Sequence, residues 1–203
     1  VAIGDSYATL EELKAELRIT DDDEDARLTR VLNSVSRGIE SVTQRQFNDA
    51  TLATARIYRP ESKVLAVVAD FHTITGLVVK TDEDDDGVCE TTWTAADYEL
   101  RPLNGIVSGQ PGWPYWKVGA VGDRLFPDSS DRAPVEVTAR WGWATVPAPV
   151  KEACLIVANE TAKLNETPFG VAGFGDMGAI RVRANPMAMS KLMPYVVRPV
   201  LVA

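Results

Sequence analysis

The sequence predicts an α+β protein: a small helical bundle built from both ends of the chain, with an inserted antiparallel β region. Three observations lead there. Apolar residues repeat at helical spacing up to about residue 47. From Arg56 to Trp143 they gather into short β-type runs separated by Gly, Pro and Asp. Helical spacing returns after Thr145. The expected organisation is a bundle part over 1–54, a β insertion over 55–144, a second bundle part over 145–193 and an extended docking tail over 194–203.

The first helix opens on a capping box, Thr9-x-x-Glu12, in which each side chain satisfies a free backbone donor at the other residue. Leu10, Leu13 and Leu17 then share one face. The β-branched pair Ile19-Thr20 marks the stop. An acidic run, Asp21 to Asp25, follows and complements the positive end of the next helix dipole, with the N-cap expected among Thr20 to Asp22. Leu28, Val31, Leu32, Val35, Ile39 and Val42 form the buried stripe of the second helix. Its solvent face carries Arg27, Arg30, Asn33, Arg37 and Ser41.

Six strands are expected: Ile57-Tyr58, Val64 to Val68, Ile74 to Lys80, Val88 to Trp93, Tyr98 to Arg101 and Val135 to Trp141. Asp84-Asp85-Asp86-Gly87 reads as a hairpin turn. Asn104 to Asp131 reads as a long Gly/Pro loop that presents Trp113, Tyr115, Trp116 and Phe126, and a loop of that length is usually functional or ordered by a partner. Trp141 is expected in the core. The next helix is entered through Pro147 and Pro149, with Val150, Ala153, Cys154, Val157, Ala158 and Leu164 as its apolar face. Asn165 to Gly178 reads as a Gly-rich loop, Ile180 to Arg183 as a short strand, and Asn185-Pro186 as the cap of a last short helix ended by Pro194. The tail Tyr195 to Ala203 is apolar and β-prone, and calls for something to dock on.

Composition narrows the function. The 203 residues carry a net charge of −8, which argues against tight phosphate binding and does not exclude a protein that surrounds DNA without gripping it, since a negative wall would repel the polyanion and let it slide. Cys89 and Cys154 are far apart in sequence and read as reduced packing residues. Neither a leader nor a long apolar run is evident, so a soluble chain is expected.

Catalytic patterns are weak throughout. Gly173-Phe174-Gly175-Asp176-Met177-Gly178 matches G-x-G-x-x-G, but a helix and a loop precede it where a nucleotide fold needs a strand. Asp82 to Gly87 matches the first half of a calcium loop, yet Trp93 stands where a bidentate Glu belongs; an acidic hairpin tip is the better reading. His72, the single histidine, has no ligand partner in spacing and no G-x-S-x-G elbow to serve. Neither a cofactor nor a metal is expected.

Three stretches carry a resemblance. Tyr7 to Phe47 has the pattern L-x-x-L-x-x-x-L-x-I, an acidic break, an apolar helix and R-x-F. Val135 to Val150 runs a strand through a Trp/Gly corner into a helix. Phe169 to Tyr195 contains G-F-G-D-M-G and a terminal L-M-P-Y. In this order of features the chain resembles the head–tail adaptor proteins of tailed bacteriophages, also called head-completion or connector proteins. The resemblance implies a structural virion protein without catalysis, made in the host cytoplasm and ending in the neck. It further implies a homo-oligomeric ring, typically dodecameric, under the portal protein, which extends the DNA channel and meets the next neck protein, a stopper or tail terminator. DNA would pass without sequence-specific binding. The tail would reach the portal, with Tyr195, Val196, Val197, Arg198, Val200 and Leu201 as contacts. Trp113, Tyr115, Trp116 and Phe126 would serve a subunit or neck interface. The competing reading is a small cytosolic enzyme or ligand-binding domain with a pocket in the β insertion and Asp97 or Glu99 as its acid.

Overall fold

The computed structural model describes residues 4–128, 132–164 and 177–197. The chain divides into two compact units, one from residues 1–48 with 145–203 and one from residues 49–144.

The first unit is helical. Helix α1, Leu10–Leu17, starts at the expected capping box: Glu12 N donates to Thr9 Oγ1 at 3.1 Å and Thr9 N to Glu12 Oε2 at 2.9 Å. It stops at Arg18, whose φ of 59° is left-handed and breaks the ladder. Helix α2, Asp25–Thr43, buries Leu28, Val31, Leu32, Val35, Ile39 and Val42, the stripe read from spacing. Its N-cap is Glu24 rather than a residue of Thr20 to Asp22, and no side chain caps it. The acidic run has another partner instead. Lys14 reaches Asp22 and Asp25, both at 2.7 Å, and ties α1 to the start of α2. These carboxylates hold the Lys14 ammonium well above its usual range, and Lys14 in turn lowers Asp22.

Helix α3, Ala148–Leu164, packs on α1 and α2, and buries Val150, Ala153, Cys154, Val157 and Ala158. Helix α4, Met177–Ala184, lies against α2. This corrects the expected strand over Ile180 to Arg183. Four residues of β-branched alternation are too short to decide the period, and packing against α2 buries Val182 completely. Helix α5, Pro186–Leu192, has Asn185 as its N-cap: Ala188 N donates to Asn185 Oδ1 at 2.8 Å. Asn185 Nδ2 also donates to Glu160 Oε1 at 2.6 Å, fixing α5 to α3.

Among its described residues the second unit holds seven strands in two antiparallel sheets. These are β1 (Thr54–Tyr58), β2 (Leu65–Phe71), β3 (Val78–Thr81), β4 (Thr91–Trp93), β5 (Tyr98–Arg101), β6 (Tyr115–Ala120) and β7 (Val135–Ala139). One sheet has the order β1-β7-β3-β4, the other β2-β6-β5. Strand β6 falls inside the stretch read as a long loop. It is the central strand of its sheet, with Val118 opposite Ala66 on one side and Leu100 on the other. Pro111, Gly112 and Pro114 hid its start and Gly119 its end. At Gly119 an added Cβ would sit 3.6 Å from Glu99 O and 3.8 Å from Val64 O, so close backbone approach, not a turn, accounts for the glycine. Between the sheets lies a core of Val68, Phe71, Val79, Trp93, Val118, Phe126, Val135, Val137 and Trp141. No described helix is long and apolar enough to cross a membrane.

Candidate interaction surfaces

The proposed docking tail begins on the helical unit. After α5 the chain makes a 3-10 turn, Met193–Tyr195. Tyr195 stands edge-on to Phe47 with centroids 5.7 Å apart, and its carbonyl accepts from Arg45 Nε at 2.9 Å. Val197 N donates to Thr43 O at 3.0 Å. The end of α2 therefore fixes where the tail leaves, through the pattern R-x-F read from sequence. Arg198, Val200 and Leu201 lie outside the described residues. Val196 is half-buried and Val197 exposed.

Exposed apolar side chains mark the same place. Among the described residues of the helical unit, the large hydrophobics that face solvent are Met187, Met193 and Val197, at 64%, 46% and 41% exposure. All three belong to the last helix and the start of the tail. The other described large apolar residues of that unit are buried or half-buried, so these three stand out as apolar surface.

The four aromatics of the expected interface do not act alike. Phe126 is 1% exposed and stacks on Trp93 at 4.7 Å with planes 17° apart, so it belongs to the core of its own unit and is corrected as an interface residue. Tyr115 is half-buried and packs on Phe71 at 5.6 Å. Trp113 is half-buried between Trp116 at 6.0 Å and Trp143 at 5.1 Å, with Trp143 Nε1 donating to Asp70 Oδ2 at 2.8 Å. Gly105 holds Trp113 from behind: its carbonyl oxygen accepts from Trp113 N at 3.0 Å, its φ is 62°, and a Cβ there would meet Trp113 O at 2.8 Å. Strand β6 thus carries Tyr115 and Trp116 on a sheet, where the sequence had suggested a loop.

The residues considered for chemistry are occupied otherwise. Asp97 accepts from Thr94 N and Thr94 Oγ1, each at 2.7 Å, and from Arg124 Nε at 3.2 Å. The Thr94 bonds first, then Arg124, hold its carboxyl below the usual range, opposite to what a general acid needs. Glu99 pairs with Arg101 at 3.0 Å. His72 Nε2 lies 3.6 Å from Asp49 Oδ1, while Asp49 Oδ2 is held by Arg140 at 2.9 Å. Cys154 is buried 3.6 Å from Ser36 Oγ, and desolvation pushes its thiol up to about 11. Both cysteines are free thiols. Gly173, Phe174, Gly175 and Asp176 of the G-x-G-x-x-G match lie outside the described residues.

Residues 7–86 match the model of the phage gp6-like head-tail connector proteins. No curated protein matches the chain. Among solved structures it is similar to a chain in the neck of an empty GTA particle computed with C6 symmetry, at TM-score 0.58 and 19% identity over 97% of this chain and 93% of that one. A chain in the neck of a native GTA particle computed with C12 symmetry gives 0.54 and 17%, over 100% and 99%. A chain of the virion of the native gene transfer agent gives 0.52 and 21%, over 100% and 96%. The connector-family match thus covers residues 7–86 of the 203, and the likeness to the neck structures is one of fold along nearly the whole chain.

Proposed function

We propose that this protein is a structural connector in the neck of a phage-type particle, a head–tail adaptor without catalytic activity. The observation that carries this reading is the connector-family match over residues 7–86, which spans α1, α2 and the first three strands and so draws on both units. The shared fold with neck proteins supports it along nearly the whole chain. The family is one of structural proteins, and this sets aside the small-enzyme alternative with Asp97 or Glu99 as its acid.

The finer assignment is a ring of identical subunits, dodecameric, seated under the portal and continuing its channel toward the next neck protein. The neck structures it resembles were computed with C6 and C12 symmetry, which fits such a ring. Portal contact falls to the tail, from Tyr195 through Val196, Val197, Arg198, Val200 and Leu201. Support comes from the exposed apolar side chains of Met187, Met193 and Val197, in the last helix and the start of the tail. Trp113, Tyr115 and Trp116 form a contact for a neighbouring subunit or neck protein. A net charge of −8 keeps the channel from gripping DNA.

Mass photometry of the protein alone and with the portal ring of the same particle tests this reading. A discrete high-order complex with portal is expected. A version lacking residues 195–203 should keep its circular dichroism and lose portal binding. Portal binding unchanged by that truncation would refute the tail assignment. A protein that stays monomeric with portal at micromolar concentration would refute the adaptor reading itself.

A further inference from the structure

The loop joining β3 to β4 runs over residues 82–90 and contains the acidic sequence Asp82-Glu83-Asp84-Asp85-Asp86-Gly87. The hairpin folds it back so that one carboxylate oxygen each from Asp82, Asp84, Asp86 and Glu90 lie within 4.8 Å of one another. Close carboxylates alone say little, since an exposed acidic cluster needs no ion. Asp82 is different from the other three. It is 2% exposed, and its Oδ2 accepts from Gly87 N at 2.8 Å. Its Oδ1 is buried and has no hydrogen-bond partner. A buried carboxylate oxygen without a donor is costly, and this one sits on the buried member of the converging carboxylates.

We propose that this loop is a calcium-class divalent-cation site, with Asp82, Asp84, Asp86 and Glu90 as its carboxylate ligands. The donors are hard oxygens, which select calcium or magnesium over soft metals. Cys89 lies within the same loop and is half-buried. Spacing fits the first half of a calcium loop: Asp82, Asp84 and Asp86 at alternate positions, then Gly87 at φ 95° for the sharp turn. Glu90 is at the ninth position of such a loop. Trp93, where the loop's bidentate Glu would be, is taken into the hairpin instead, with Nε1 donating to Thr81 Oγ1 at 2.9 Å. A site without that Glu binds more weakly than a high-affinity sensor. One positive side chain is close: Arg132 Nη1 is 3.5 Å from Asp85 O and covers Gly87.

Calorimetric titration of the full chain with Ca²⁺ tests the site, with Mg²⁺ as comparison. One Ca²⁺ per chain is expected, with a dissociation constant of about 10⁻⁵ to 10⁻³ M. Tb³⁺ should substitute and luminesce on excitation of Trp93, the indole nearest in sequence. Asp84 and Asp86 are exposed, so Asp84→Ala with Asp86→Ala removes ligands without disturbing the core. That double variant should fold and bind Ca²⁺ at least about tenfold more weakly. No Ca²⁺ heat and no sensitised Tb³⁺ signal at millimolar ion would overturn the proposal, as would equal affinity of the folded double variant. Neither outcome depends on portal binding, so the adaptor reading stands or falls separately.

Discussion

Tyr7 shows how much one side chain organises in the helical unit. It is 1% exposed, yet its hydroxyl donates to Glu40 Oε1 at 2.6 Å and accepts from Phe47 N at 3.2 Å. Its ring meets Phe47 edge-on at 5.6 Å, and its own N–H donates to Ser36 Oγ at 3.0 Å. Burial, then the bond to Glu40, push the phenol far above its ordinary range, so it stays a donor at every working pH. Phe47 in turn supports Tyr195, which links Tyr7 to the base of the tail. Replacing Tyr7 by Phe keeps the ring and removes both hydroxyl bonds, one of them to a charged acceptor. We expect a loss of about 1–3 kcal/mol in urea unfolding at unchanged m-value. A loss below a few tenths of a kcal/mol would mean that the hydroxyl bonds exchange evenly with water.

Secondary-structure elements differ in how plainly the sequence announces them, and the difference is physical. Helix α1 was legible because its signal is local: Thr9 and Glu12 find each other within one turn. Thr9→Ala should therefore cost about 1 kcal/mol. Glu12 adds a pH signature. Its carboxyl is lowered first by the Thr9 N–H and then by Lys151, 2.9 Å away. A depressed carboxyl contributes stability that is present above its unfolded value and lost as pH falls through its folded one. Glu12→Gln should accordingly be less stable than the parent near pH 7, and the gap should begin to narrow as pH falls below about 4. A gap that did not narrow at all in acid would assign the effect to packing. Where signals are non-local, the sequence misleads. Ile180-Arg181-Val182-Arg183 alternates like a strand, but contact with α2 makes it helix α4. Tyr115 to Ala120 sits between Pro and Gly like a loop, but pairing on both sides makes it β6. The interface aromatics were blurred for the same reason, since only Trp93 reveals that Phe126 is core.

At the scale of the molecule, the chain supports two separate apolar cores. One is assembled from α1 to α5 across a sequence gap of nearly a hundred residues, from Asn48 to Thr145. The other closes within residues 49–144, between two antiparallel sheets. Each core has its own fully buried residues, Leu32 and Ile39 in the first, Phe71 and Val137 in the second. Cores that share few buried side chains lose stability separately. Leu32→Ala should cost about 2–5 kcal/mol and Phe71→Ala about 3–5 kcal/mol. Hydrogen exchange read by mass spectrometry should locate each cost. Leu32→Ala is expected to speed exchange in α1, α2 and α3 while β2, β6 and β7 keep their protection. Phe71→Ala, which removes the ring contacts to Trp141 at 6.1 Å and Tyr115 at 5.6 Å, should do the reverse. Uniform acceleration by either substitution would show one cooperative unit. Separate responses bear on the proposed adaptor role: the proposed docking tail, whose base is held on the helical unit by Thr43, Arg45 and Phe47, would then engage a partner without drawing on the stability of the β unit.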